Sequence, residues 1–517
     1  MSSKLRTVEE AISLIKDKDT VITGGFVGCG HPEEITLGIE KSYLEKGKPQ
    51  GLNLVYAAGQ GDHDYRGVNH FGVEGLVRKV VGGHWAAAPK LQKLAMDNKI
   101  EAYNLPQGVL SHLFRDIAAG KPATITHVGL KTFVDPRQCG GKLNDITKED
   151  LVELIEIKGK EYLMYPTFPI DVAIIRGTYA DEDGNVTMNK EAVTLDGLSM
   201  AQAAKNSGGI VIVQVEKVVA NGSLRMKDVK IPGVLVDAVV ESNPENHMQT
   251  FCEQYNPSYT GETKVPLGSI EKLPLNERKI IARRAAMELT PKAVTNLGIG
   301  MPEGVSMVAN EEGVGDQMIL TTEAGPIGGV PAGGLSFGAS INADCVVDQS
   351  AQFDFYDGGG LDITFLGLAQ CDANGNVNVS KFGPKIPGCG GFINISQNTK
   401  KVVYCGTFTA GGLKIDVEDK KLVIKNEGRA KKFVKDVEQI TFSGEYAIET
   451  GQDVTYVTER AVFKLTNDGM VLKEIAPGVD LEKDVLAYMN FKPIIPEDLK
   501  LMDERIFDEE PMGLEIK

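Results

Sequence analysis

Two stretches of this chain, 270 residues apart, spell nearly the same turn. Gly28-Cys29-Gly30-His31-Pro32-Glu33 recurs as Gly298-Ile299-Gly300-Met301-Pro302-Glu303, with 298 − 28 giving the spacing. Each turn follows a short apolar strand (19–23 and 293–297) and opens a helix. Proline there suits the first helical position, and the acidic residues beside it suit the positive end of the helix. Further landmarks keep the same order. Residues 171–177 pair with 362–368, and Asp181-Glu182-Asp183-Gly184-Asn185-Val186 pairs with Asp372-Ala373-Asn374-Gly375-Asn376-Val377; both offsets are 191, and the apolar strands 210–215 and 402–407 follow at 192. Ordered matches of this kind predict a duplicated domain.

The expected division is a first domain over 1–241, a linker over 242–274 and a second domain over 275–517. The linker carries Pro244, Pro257, Pro266 and Pro274 and shows no sustained period. Within each half, apolar strands alternate with amphipathic helices, which predicts two related α/β domains with mainly parallel sheets. Near the start, Thr7 and Glu10 have the spacing of a capping box, so a helix begins there. The Asp-Gly-Asn turns are read as structural hairpin turns, and the Lys-rich 413–437 stretch, with its interleaved acids, as a solvated hairpin.

Composition removes several classes of function. With 42% apolar and 24% charged residues the chain has ample core, and its net charge of −16 argues against nucleic acid or an anionic membrane as a partner. The seven cysteines are scattered and form no CxxC pair, which predicts a reducing compartment without a disulfide frame or zinc knuckle. No apolar run reaches the roughly 18 to 20 residues of a membrane span, and the first residues lead straight into a helix, so a cytoplasmic protein is expected.

The stretch best suited to chemistry is Thr321-Thr322-Glu323-Ala324-Gly325-Pro326. An apolar run, Met318-Ile319-Leu320, ends there and delivers one carboxylate into a glycine-rich bend. All seven histidines precede residue 248, so the half that holds Glu323 has none of its own. Asp62, His63, Asp64 and His70 lack the spacing of a metal site, and no metal is expected. The glycine pairs lack the third glycine of a dinucleotide fingerprint. Neither a P-loop nor a nucleophilic serine elbow is expected. What remains is a glutamate that acts as a covalent nucleophile, with amides to hold an oxyanion. Gly390 and Gly391, in Pro387-Gly388-Cys389-Gly390-Gly391, and the Gln107 side chain are the candidate donors.

These residues carry a resemblance. Gly24-Gly25-Phe26, three residues, Gly30, one residue and Pro32 resemble the first signature of family I coenzyme A transferases. Nearly the whole chain is similar to their propionate/acetate, short-chain acyl branch, including Gly83-His84-Trp85, 176–181 and 408–412. Thr322-Glu323-Ala324-Gly325 stands where the family has Ser-Glu-Asn-Gly, and the change from Asn to Ala sets the chain apart from the succinyl-CoA:3-oxoacid members. The resemblance implies a NagB/RpiA-like fold of two related α/β domains with the active site between them, and a homo-oligomer, tetramer or dimer. It implies no permanently bound cofactor, a coenzyme A thioester as substrate, and ping-pong transfer through a glutamyl-CoA thioester on Glu323. Gln107, Gly390 and Gly391 would stabilise the oxyanion, and Gly25, Gly28, Gly30, Gly298, Gly300 and Gly325 would lie against CoA or substrate. The alternatives are a short-chain acyl-CoA hydrolase and a non-catalytic small-molecule sensor.

Overall fold

The computed structural model describes residues 4–266 and 272–516. Met1-Ser2-Ser3 and residues 267–271 of the expected linker lie outside them. The chain forms two compact units. The first comprises Met1–Val265, Thr322–Asp354 and Gly383–Asn394; the second comprises Pro266–Thr321, Phe355–Phe382 and Ile395–Lys517. This corrects the division at 241 and 275. Two segments from the later half of the sequence belong to the earlier unit, and 242–265 is packed chain rather than linker. Thr250 and Ser258 are buried there, Phe251 is 7% exposed, and the Arg66 guanidinium lies 4.3 Å from the centre of the Phe251 ring.

In the first unit a parallel sheet runs in the order Ala238–Glu241, Ile210–Val219, Val172–Asp181, Thr20–Thr23, Leu52–Tyr56, Val77–Gly82, Glu101–Asn104. Its central strand is buried along Val172-Ala173-Ile174-Ile175, with no alternation, as a strand covered on both faces must be. In the second unit Met318–Thr321, Ala293–Leu297, Ile363–Gly367, Lys401–Cys405 and Asp453–Val457 are also parallel neighbours in that order. The repeat found in the sequence is therefore a repeat of sheet position. Thr20–Thr23, Val172–Asp181 and Ile210–Val219 occupy one sheet as Ala293–Leu297, Ile363–Gly367 and Lys401–Cys405 occupy the other.

In both sheets the chain order reverses beside the strand that precedes the Gly-x-Gly-x-Pro turn. At such a switch point the carboxyl ends of adjacent strands part and leave a crevice, where ligands of open α/β sheets bind. The Thr7 and Glu10 capping box forms as expected, on the helix Val8–Ile12. Both turns, Asp183-Gly184-Asn185 and Asn374-Gly375-Asn376, are structural: Asp181 accepts from the amides of Asp183 and Asn185, and Asp372 from those of Asn374 and Asn376. The Lys-rich stretch is an antiparallel hairpin, Lys414–Glu418 with Lys421–Asn426. Among the described residues no helix is long and apolar enough to cross a membrane.

Candidate active site

Glu323 follows the strand Met318–Thr321, in a tight turn. The turn is closed by its own main chain: the Thr322 N–H donates to the Pro326 carbonyl and the Gly325 N–H to the Thr322 carbonyl, each at 3.0 Å. A side chain holds it as well, since Gln352 Nε2 donates to the Thr322 carbonyl at 3.1 Å. Ala324 is fully buried and packs in a cluster with Phe26, Cys29, Ala58 and Leu195. Phe26 of the Gly-Gly-Phe signature thus belongs to the small core that seats the glutamate's turn. Gly325 has φ +124°, and a Cβ there would lie 2.1 Å from the Val347 carbonyl oxygen, so the turn closes only around glycine. Glu323 itself is half-buried.

The candidate donors come together through the segment 386–390, which lies on the carboxyl ends of two strands. The Gly390 N–H donates to the Gly83 carbonyl at 2.7 Å, the Cys389 N–H to Asn104 Oδ1 at 2.9 Å, and the Gln107 N–H to the Gly390 carbonyl at 2.9 Å. Asn104 in turn donates to the carbonyls of Gly82 and Gly83. These bonds bear on one expectation: the Gly390 amide, a candidate oxyanion donor, is engaged by the Gly83 carbonyl. Among the described residues no main-chain acceptor takes the Gly391 N–H. Gln107 is the first residue of the helix Gln107–Ala118. A Cβ on Gly390 would lie 3.7 Å from Gln107 Oε1 and 3.5 Å from His84 Cδ2, so these two side chains flank the glycine. Desolvation, then the nearby His63, pushes His84 down to about 4 and keeps it neutral.

Gln107, Glu323, Gly390 and Gly391 all fall in the first unit, although three of them come from the later half of the sequence. The glycines expected to line CoA divide. Gly28 is buried, and a Cβ there would come within 2.5 Å of Phe251; Gly25 and Gly30 are likewise hemmed in, by Gln60 and Leu195. Internal packing accounts for all three, and for Gly325, without a ligand. Gly298 is half-buried and Gly300 exposed, with open space beside Gly300.

Several residues escaped the sequence reading. Gln349, Asp196 and Ser111 are linked to Gln107 by a chain of hydrogen bonds between residues 85 to 242 apart in sequence. Asp196 alone left a trace: it occupies the N-cap of the helix Gly197–Asn206, yet its side chain makes no cap bond. Gly334-Leu335-Ser336-Phe337-Gly338 has the spelling of a serine elbow, against the expectation that none is present. Ser336 nevertheless lies in a short 3-10 turn, and its Oγ bonds Thr250 and donates to Glu253, which is not the setting of an activated nucleophile. His70, one of the weighed metal ligands, is held between Glu33 (2.8 Å) and Glu40 (2.5 Å), and Asp62 accepts from the amides of Asp64, Tyr65 and Arg66.

The sequence matches the family described as Coenzyme A transferase over residues 5–242. It is 49% identical to caffeate CoA-transferase of Acetobacterium woodii, covering 99% of both chains. It is 47% identical to acetate CoA-transferase YdiF of Escherichia coli K12, over 98% of this chain and 96% of that one. A crystal structure of the O157:H7 acyl-CoA transferase YdiF, as a thioester complex with CoA, superposes with a TM-score of 0.94 at 45% identity, covering 99% of this chain and 98% of the other. The chain belongs to the family I coenzyme A transferases, in their short-chain acyl branch.

Proposed function

We propose that the protein moves coenzyme A between short-chain acids of the acetate, propionate, butyrate and lactate range, and that Glu323 carries the CoA between half-reactions. The observation that supports this most is the seating of Glu323. Its turn is pinned by two main-chain bonds and by Gln352, and is anchored on buried Ala324, so the carboxylate stands on a fixed base. A rigid base is what a nucleophile needs to meet a carbonyl at one distance and angle.

Glu323 attacks the thioester carbonyl of the donor. The tetrahedral oxyanion collapses by breaking the C–S bond, which gives an acyl-glutamyl anhydride and the CoA thiolate. The thiolate then attacks the glutamyl carbonyl and expels the donor acid, leaving the glutamyl-CoA thioester. The acceptor carboxylate reverses both steps, so one thioester is exchanged for another and no further energy source enters. The Gly391 N–H and the Gln107 amide are the donors for the oxyanion, and losing one of them costs roughly 10² to 10³ in rate.

Incubation with acetyl-CoA followed by peptide mass spectrometry tests the assignment: the Glu323 peptide is expected to gain one CoA. An unmodified peptide, or full turnover by Glu323→Gln, overturns it. The relative named for caffeate gives a second reading, an aromatic acceptor acid. An acceptor panel of acetate, propionate, butyrate, lactate and caffeate decides between them. CoA release that is independent of any added acid would make the protein a hydrolase instead.

A further inference from the structure

Gln107 is the first member of a buried chain of polar groups. Its Nε2 donates to Gln349 Oε1 at 3.0 Å, Gln349 Nε2 donates to Asp196 Oδ2 at 2.6 Å, and Ser111 Oγ donates to Asp196 Oδ1 at 2.5 Å. Gln107, Gln349, Asp196 and Ser111 are 2%, 1%, 3% and 0% exposed, so water does not compete for these contacts. Three residues along the same helix, Gln352 holds the Thr322 carbonyl beside Glu323. One turn of Gln349–Asp357 therefore bonds both the nucleophile's turn and the amide proposed to face the substrate.

A glutamine amide has an acceptor end and a donor end of nearly the same shape, so packing alone does not choose between them. An ionised carboxylate does, because it only accepts. With Asp196 charged, Gln349 must turn its NH2 toward Asp196 and its oxygen toward Gln107. Gln107 must then turn its NH2 toward Gln349, which leaves its second N–H at the donor end for an oxyanion. We propose that Asp196 is a positioning residue of the transferase reaction: acting through Gln349, it fixes which end of the Gln107 amide meets the thioester oxygen. The proposal rests on Gln107 as an oxyanion donor.

Burial holds the Asp196 pKa up at about 6, against the opposing bonds from Ser111 and Gln349 and the nearby His112; Asp348 adds to the rise. The titratable and charged groups around it are His112 and Arg115 on the helix Gln107–Ala118, with Asp348 just before, and Asp354 on, the helix that carries Gln349. Arg115 and His112 are both paired with Asp354, and Asp348 accepts from Thr194. Proton uptake by Asp196 gives it a donor as well as an acceptor, and the polarity of the chain is no longer imposed. An acid limb in kcat with a midpoint near pH 6 follows.

The test moves the charge by one place. Asp196→Asn keeps the shape but offers both ends of an amide; kcat is expected to fall roughly 10-fold, below the full loss of one donor, with KM for acetyl-CoA within about twofold and the acid limb gone. In Asp196→Asn combined with Gln349→Glu the carboxylate sits next to Gln107, so the Gln107 NH2 again has only an acceptor before it, and most of the lost kcat returns. A single variant with wild-type kcat and pH profile, or a folded double variant no better than the single, overturns the proposal. If Asp196→Asn does not fold, Ser111→Ala serves: it removes a donor from the carboxylate and must raise the midpoint of the acid limb, and an unmoved midpoint is equally fatal. Gln107→Leu separates this failure from that of the underlying reading. Wild-type turnover in that variant removes the oxyanion role itself, whereas a roughly 10² to 10³ loss beside an unaffected Asp196→Asn removes the relay alone.

Discussion

The two Gly-x-Gly-x-Pro-Glu turns began as one sequence pattern, and the molecule treats them differently. In the first, Cys29 and His31 are 0% exposed and Glu33 is 6%. His31 lies between Gln60 Oε1 (2.8 Å) and Thr36 Oγ (3.0 Å), and Glu33 holds both His70 and the Gly67 N–H. In the second, Ile299 is 60% exposed, a Cβ on Gly300 would meet nothing within 4 Å, and Glu303 forms a half-exposed pair with Arg278 at 3.3 Å. Gly30 and Gly300 both take a positive φ, but the first turn leads straight into the helix Glu33–Lys46 with Pro32 at its N-cap, whereas the second passes through a 3-10 turn, Met301–Glu303, before the helix Gly304–Glu311. The first copy has become an internal support, wired to the small core that seats Ala324, while the second keeps an open surface at its own switch point. Duplication thus kept the positive-φ glycine of the turn and released the side chains.

The comparison is broken most severely by paired substitutions at the two glutamates. Glu33→Gln removes one partner of a buried ion pair, so unfolding by denaturant should come about 3 kcal/mol or more sooner. Glu303→Gln, at a solvated pair, should stay within about 0.5 kcal/mol. Equal losses would mean that the two turns are not differently loaded.

Titration sharpens the same contrast. Burial opposes charge on His70, but the bonds and charges of Glu33 and Glu40 outweigh it and hold the imidazole up at about 9. A pKa raised in the folded state contributes stability that is complete below the unfolded value of about 6.5 and is lost as pH rises toward 9. Stability should therefore fall by about 2 to 3 kcal/mol between pH 6.5 and 9, and His70→Gln should flatten that slope. His31 runs the other way: burial first of all lowers it to about 4, so its contribution is lost as pH falls from 6.5 toward 4. The second turn has no histidine.

Glycine replacements give a smaller difference. Gly28→Ala drives a methyl group against the Phe251 backbone and ring and should cost about 2 kcal/mol. Gly298→Ala, whose nearest neighbour would be 3.3 Å away, should cost under about 1 kcal/mol. Thermal melts of the pair decide it. Ile299→Ser, at an exposed position, should leave stability within about 0.5 kcal/mol; a larger loss would show the second turn to be covered.

Much of this was legible in the sequence. The duplicated order of strands, the strand that ends before Glu323, the Thr7 capping box and both Asp-Gly-Asn turns are signals set by neighbours a few residues apart, and such signals survive in any tertiary setting. The division of the molecule was not legible. Segments 322–354 and 383–394 lie within the second repeat in sequence but join the first unit, because burial of Ala324, Phe337 and Ala339 against Phe26 depends on contacts some 300 residues apart. The engagement of the Gly390 amide was not legible for the same reason. A glycine-rich run advertises amides, and only the Gly83 carbonyl opposite reveals which one is engaged.

The sequence by itself determined the repeat, the α/β class and the one carboxylate placed at a strand end among glycines, since periodicity, turn chemistry and spacing are properties of the chain. The tertiary structure alone decided which of two near-identical turns is buried, which glycine amide is engaged by a carbonyl, and that Asp196 is wired to Gln107. Those choices depend on which distant groups share a dry interior, where a donor or acceptor must be matched, and no local pattern records that pairing.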